Sequence, residues 1–241
     1  MFMATMTFDL GEDVNALRDM VHRWAQERIR PMAQDIDKQN LFPAELWKEM
    51  GDLGLLGITV PEEYGGANLG ITEAALLLNT IARHGGAQAA CSSIHMNIFG
   101  LQPVVMHGNE EQKQRFLPPF MDGKIKACFA ITEPDIGLDT TRAKVKAERQ
   151  GDTYIVTGKK VWTSTAQVAD MVLILARTTP IEKCRRPVDG LSLFYTKLDR
   201  NFVDIREIDK LGRKAVDTNE LFFDGLPVPA EDLIGEEGQG L

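Results

Sequence analysis

Apolar residues recur at helical spacing through the first half of the chain. In GEDVNALRDMVHRWAQERIRPMAQDIDKQN, Val14, Leu17, Val21, Trp24, Ile29, Met32 and Ile36 follow one another at steps of three, four and five. Those steps average near the 3.6 of a helix and give one buried stripe. Pro31 should kink this helix, since it lacks an amide hydrogen. FPAELWKEMGDLGLLG sets Pro43 at a helix start and glycines at its end. ITEAALLLNTIARHGG offers Thr72 as an N-cap, carries Leu76, Leu77 and Ile81, and closes on Gly85 and Gly86. A further helix is predicted over residues 87–106, and a short one over NEEQKQRFL with Asn109 as its N-cap.

The second half changes period. AKVKAERQGDTYIVTGKKVW alternates, with Ala143, Val145 and Ala147 before Gly151-Asp152 and Tyr154 and Val156 after it, a hairpin pattern. Short strands follow at MVLILAR, GLSLFYTK, FVDIREI and NELFFDG. No long helical pattern separates them, so an antiparallel sheet or barrel is expected rather than a βαβ fold. The fold class is α+β: an all-α helical domain over residues 1–123, then a β domain over residues 124–241, with the boundary near Gly123. The chain closes on IGEEGQGL, a glycine-rich stretch that reads as a flexible junction into something new, so a truncation is expected.

Composition narrows the function classes. The chain has 241 residues, 44% of them hydrophobic and 26% charged, with a mean hydropathy of −0.17, values of an ordinary globular protein. A net charge of −8 argues against general binding to nucleic acid or anionic membranes. Cys91, Cys128 and Cys184 lie far apart and form no ligand spacing, which suits reduced thiols and a cytoplasmic location. No apolar run approaches the roughly 18 residues of a membrane span. MFMATMTFDLGED lacks the basic start of a targeting peptide.

Two stretches hold the candidate chemistry, CFAITEPDIGLDTT and GKKVWTSTAQVAD. A loop that leaves a strand through Thr132 and Gly137 could cradle an anion with its amides, or be a capped turn. Trp162, followed by the hydroxyls of Thr163, Ser164 and Thr165, could flank a flat heteroaromatic ligand, or be a core tryptophan. His22, His84, His95 and His107 make no metal-ligand spacing and read as structural histidines. EKCRRP reads as a solvated loop, with phosphate contact as the sharper alternative.

The chain resembles the acyl-CoA dehydrogenase family over nearly its whole length. The resemblance is carried by VPEEYGG, HGNEEQKQRFLPPFMDGKIKACFAITEPDIGLD, GDTYIVTGKKVWTSTAQVAD, LARTT and KLGRKAVDTNELFFDGLPVPAEDLIGEEGQG. It implies a helical domain, a middle β domain and a further C-terminal helical domain beginning where this chain stops. It implies FAD as cofactor, with Phe129, Ile131 and Thr132 lining the flavin and Gly137 and Leu138 near its pyrophosphate. Trp162, Thr163 and Ser164 would flank the ring and address its N5/O4 edge. One departure is Leu138, which stands where the family motif T-E-P-x-x-G-S-D has serine.

The resemblance further implies that Cys91, Ser92, His95 and Leu138 border the substrate, an acyl-CoA, with His95 favouring a short or polar acyl group. The family reaction removes an α-proton with a carboxylate base and passes the β-hydrogen to the flavin as hydride. That base is expected beyond Leu241, and Glu133 is expected to structure its loop instead. An electron-transferring flavoprotein and a homo-oligomer are the expected partners. An acyl-CoA oxidase or flavin monooxygenase of the same fold, or a non-catalytic fragment that binds flavin or CoA weakly, stays open. For the chain as it stands, poor FAD retention and no turnover are expected.

Overall fold

The computed structural model describes residues 11–39 and 42–241. The apolar N-terminal stretch, and Asn40 at the end of the first helical pattern, lie outside them. Helix α1 (Glu12–Trp24) has Glu12 and Asp13 in its first turn and His22 and Arg23 in its last, the order its dipole favours. A π turn, Ala25–Ile29, leads into α2 (Arg30–Gln39). The expected irregularity at Pro31 is therefore a widened turn just upstream. It coincides with the five-residue step from Trp24 to Ile29, and both residues stay on the buried stripe.

Helix α3 (Ala44–Asp52) follows Pro43. Helix α4 (Ile71–Ile81) starts after Gly70, whose amide donates to the Glu73 carboxylate at 2.9 Å. Thr72 is thus inside the helix: Gly70 takes the N-cap position, and Glu73 reaches back to its amide. Gly85 and Gly86 do not end it either. A second π turn, Ala82–Gly86, runs directly into α5 (Ala87–His107), so packing overrides the low helix propensity of the glycines. Helix α6 (Glu110–Met121) opens on Asn109 as expected. Its side chain accepts from the Gln112 amide at 2.8 Å, and the Gln112 side chain accepts from the Asn109 amide at 2.9 Å.

The remaining strands are β1 (Ala127–Ala130), β2 (Lys146–Gln150), β3 (Thr153–Ser164), β4 (Met171–Arg177), β5 (Leu191–Lys197), β6 (Val203–Glu207), β7 (Thr218–Pro229) and β8 (Leu233–Ile234). They form one sheet in the order β6-β7-β3-β2-β4-β5-β8, with β1 beside β4. The pairings are antiparallel as expected, except that β1 and β2 run parallel to β4. Gly151, at φ +62, makes the β2–β3 hairpin.

The sheet separates two apolar layers. On β4, Leu173 and Leu175 face the helices, while Val172, Ile174 and Ala176 face the other side. A strand buried on both faces reads as a continuous apolar run, which is why MVLILAR does not alternate. Tyr195 packs edge-on to Phe116 of α6 at 4.8 Å, and Phe194 meets Tyr154 on the opposite face at 4.9 Å. Helix α6 is pinned to the end of the sheet as well. The Gln112 side chain donates to the Glu231 and Leu233 carbonyls, and Arg115 pairs with Asp232 at 2.6 Å.

The glycine-rich stretch GEEGQG is not a free junction. The Gly240 amide donates to the Leu191 carbonyl at 2.7 Å, and the Gly238 amide to the Ser192 hydroxyl at 2.8 Å, so the stretch runs bonded along β5. The backbone donors found partners that the sequence pattern does not show.

Leu175 is completely buried between the layers. Leu175→Ala should cost about 2–5 kcal/mol in urea unfolding with an unchanged m-value. Asn109→Ala, which removes only a cap, should cost about 1 kcal/mol in the same assay.

Candidate functional site

The loop of residues 131–138 leaves β1 and is fixed by a buried ion pair. Glu133 and Lys160 are both buried, Lys160 at 0% exposure, and Lys160 Nζ lies 2.9 Å from Glu133 Oε1. The same ammonium donates to the Ile131 carbonyl at 2.8 Å. The Glu133 carboxylate also accepts from the amides of Lys144 at 2.7 Å and Val145 at 3.0 Å. Burial pushes the Lys160 pKa below the ordinary lysine value, and the Glu133 carboxylate pushes it partly back. With three donors on it, Glu133 is the loop-structuring residue expected from the sequence.

Immediately after Lys160 the strand β3 changes register against β7, between Lys160 and Thr163. This bulge swings Trp162 to φ +63 and leaves it 61% exposed. The Val161 amide within the bulge donates to the Thr132 carbonyl at 2.9 Å, which ties the two stretches together. Thr165 also sits at positive φ, +71, where a β-branched residue is a marked outlier. Its amide donates to the Asp217 carbonyl at 3.3 Å and so links the bulge to the loop of residues 208–217.

That loop crosses to helix α5. Arg213 Nε donates to Ser92 Oγ at 3.0 Å. On the same helix face, exposed His95 stacks on Phe99 with rings 7° from parallel and centroids 5.6 Å apart. Phe99, half exposed, in turn packs against Phe129 at 5.9 Å. The contacts thus close a circuit from β1 through the bulge, the 208–217 loop and α5, back to Phe129.

The expected site residues take different positions on this circuit. Phe129 and Ile131 are half-buried on the helix-facing side of the strand end and Thr132 is half-buried just beyond it, while Cys128 and Ala130 point into the sheet core. Gly137 has no positive φ, and a Cβ there would meet no protein atom within 4 Å. Its missing side chain therefore leaves room on the outside of the loop. Leu138 is fully exposed, not packed on the helices. Thr163 and Ser164 are buried, and Thr163 Oγ1 has no partner among the described residues, so Trp162 alone of the three presents its side chain to solvent. Cys91 turns toward α4, donating to the Leu78 carbonyl at 3.0 Å, and burial raises its pKa to about 11.

Lys160, Phe99 and Arg213 are residues that motif reasoning passed over. A lysine between Gly158 and the apolar Val161 in a predicted strand was the available signal for the first. In EKCRRP, Arg186 is occupied by Asp189 at 2.6 Å. A groove of about 970 Å³ lies beside that loop, bordered by Arg142, Lys144, Lys146, Thr178 and Glu182. No group of three potential metal ligands exists among the described residues.

Two domain models match the chain: acyl-CoA dehydrogenase, N-terminal domain, over residues 11–124, and acyl-CoA dehydrogenase, middle domain, over residues 128–226. The chain belongs to the acyl-CoA dehydrogenase family. It is 36% identical over 236 residues to the mitochondrial isovaleryl-CoA dehydrogenase of Pongo abelii, covering 96% of this chain and 55% of that protein. Among solved structures, it matches the glutaryl-coenzyme A dehydrogenase glutaryl-CoA complex with a TM-score of 0.90 and 32% identity, over 98% of this chain and 59% of that one. It also matches the FAD complex of PigA with a TM-score of 0.89 and 26% identity, over 98% and 61%. The chain thus spans a little over half the length of these relatives.

Replacing one member of the buried pair strands the other. Lys160→Met should cost about 3–5 kcal/mol, and adding Glu133→Leu should recover only part of it, since the Lys144 and Val145 amides then lose their acceptor, read by chemical unfolding. Since the folded pKa of Lys160 lies below the unfolded value of 10.5, the unfolded chain holds the extra proton between the two. Stability from this group then rises with pH across that window. The stability difference between wild type and Lys160→Met should change in favour of wild type as pH climbs toward 10.5, and a pH-independent difference would refute the assignment.

Proposed function

We propose that the protein takes part in FAD-dependent α,β-dehydrogenation of an acyl-CoA thioester. In this reading it supplies the flavin-facing wall and one side of the acyl site. The observation that carries the proposal is Trp162. The bulge holds a large aromatic side chain out of the core at an unfavourable φ, beside a strand end locked by a buried ion pair. Such strain is kept where a bound group uses it.

The residues fit an isoalloxazine. Trp162 offers a flat apolar face, and Thr132, next to it through the Val161 bond, offers a hydroxyl at the polar edge. Backbone amides at Gly137 and Leu138 lie where no side chain of Gly137 blocks an approaching pyrophosphate. Phe129 and Ile131 line the ring on its apolar side, and Thr163 and Ser164 act through backbone and buried hydroxyls below Trp162. When bound, FAD supplies the hydride acceptor. No group of this chain is assigned the proton abstraction: Glu133 is spent on Lys160 and two amides.

His95 and Ser92 border the acyl group from α5, with Cys91 behind them. Leu138 marks the loop tip between cofactor and thioester, and contributes an amide but no hydroxyl. The basic groove beside EKCRRP suits the phosphates of the CoA nucleotide, through Arg142, Lys144 and Lys146. Reduced flavin would pass electrons to an electron-transferring flavoprotein. A cytoplasmic location and a homo-oligomer complete the reading, the isovaleryl-CoA dehydrogenase compared above being mitochondrial. No helix of the described residues is long and apolar enough to cross a membrane.

Titration with FAD, followed by tryptophan quenching and visible absorbance, tests the cofactor assignment. Trp162→Ala should weaken binding ~tenfold or more, a loss of about 1.4 kcal/mol. Leu138→Ser should tighten it by restoring a pyrophosphate donor. No FAD binding by wild type, or binding indifferent to Trp162, would sink the proposal. In a protein that also carries a proton-abstracting base, acyl-CoA-dependent bleaching of a dye acceptor supports a dehydrogenase, whereas peroxide release points to the oxidase of the same fold.

A further inference from the structure

We propose that the acyl end of this site recognises a thioester whose short acyl chain ends in a carboxylate, held by Arg213 with Ser92 and His95 beside it. This inference rests on the acyl-CoA reading above and names its substrate class. Arg213 is held in place from both sides. It stands at φ +52, followed two residues on by Ala215, which is buried against Trp24 and Ile94 of the helical layer. Val216 is also fully buried, and its carbonyl accepts from Lys210 Nζ at 2.6 Å. A left-handed backbone disfavours any side chain with a Cβ, and here it carries an exposed arginine on an anchored loop.

Only one edge of that arginine is used. Nε donates to Ser92 Oγ, and neither Nη group has a hydrogen bond or ion pair among the described residues. The planar fork that matches a carboxylate is thus left facing solvent beside α5. His95 lies three residues beyond Ser92, which makes the two side chains neighbours on one helix face. It adds a second polar group that can donate to an anion.

The acids around the loop, Glu207, Asp209 and Asp217, form no ion pair with Arg213 among the described residues. Helix α5 contains no acidic residue along its whole length, and neither does β1. On the loop itself the acids are Asp209 and Asp217. The Asp217 carboxylate is occupied by the Gln167 amide at 3.0 Å and by the Asn219 side chain. Lys210 and Lys214 on the same loop balance part of the charge of these acids.

Geometry sets the chain length. From Ser92 to Phe99 is seven residues of helix, about 10 Å along the axis. Phe99 touches Phe129, where the flavin wall begins. A carboxylate at Arg213 is therefore within reach of a thioester of a few carbons, and too near for a long alkyl chain to lie extended along this face.

Paired thioesters of equal length separate the possibilities. Glutaryl-CoA and valeryl-CoA would be titrated calorimetrically into the chain in the presence of FAD, for wild type, Arg213→Gln and Arg213→Lys. Wild type should bind glutaryl-CoA at least ~tenfold more tightly than valeryl-CoA. Arg213→Gln should bring the ratio close to one, and Arg213→Lys should keep part of it, since a point charge survives without the fork. If both thioesters bind wild type equally, or if the preference survives Arg213→Gln, the carboxylate assignment is wrong while the acyl-CoA reading stands. If neither thioester binds, both fall.

Discussion

The buried pair of Glu133 and Lys160 is the contact on which the 131–138 loop and the neighbouring Trp162 bulge depend. Two charges removed from water are costly, and their mutual attraction offsets that cost only when the remaining donors and acceptors are also met. Here they are. The lysine reaches a carbonyl of the loop as well as the carboxylate, and the carboxylate takes two amides from residues 144 and 145. One pair therefore joins three chain segments that are distant in sequence. An apolar pair could fill the same volume, but it could not set the direction of three backbone segments at once. This directionality is a physical reason to keep ionic groups in such a place.

Strain elsewhere in the site follows from that anchoring. Once Lys160 is drawn inward and the Val161 amide is bonded to Thr132, β3 can rejoin β7 only by a bulge. Trp162 and Thr165 absorb the irregularity in left-handed backbone, and Arg213 does so in the loop that Thr165 contacts. Among the described residues, three of the four non-glycine positions at positive φ thus lie on one circuit of contacts. The helical layer closes that circuit through α5, whose buried face fixes its exposed one: Ile94, Ile98 and Leu101 are buried, and this leaves His95 and Phe99 outward.

Much of this was legible in the sequence. Helical period in the first half, the Asn109 cap, the Gly151 hairpin and the strand set all follow from spacing and turn chemistry. The two candidate stretches could be picked out from their motifs, and the fold joins them through Val161, Thr132 and the Glu133–Lys160 pair. What could not be read were the features set by tertiary contacts. Thr72 looked like a cap because a hydroxyl there could serve one, but Glu73 serves Gly70. The glycine pair after α4 looked like a terminus, but a π turn carries the chain through it. GEEGQG looked loose because its bonding partners lie on β5, far earlier in the chain. Arg213 carries no motif of its own, and it gains meaning only when the fold brings it to Ser92.

Leu138 shows how far a residue type can be interpreted without its surroundings. A leucine side chain suits an apolar contact, yet Leu138 is fully exposed at the tip of a loop whose base is held by the buried ion pair. Exposing a large apolar side chain is mildly unfavourable in water, and nothing of the described chain covers it. The loop's amides nevertheless remain in place, because they are fixed by Glu133, Lys160 and Val161 and not by the residue at the tip. Loss of a hydroxyl at this position therefore removes one donor without disturbing the others. What the loop still presents is its backbone amides beside Trp162, and both depend on the same buried ion pair.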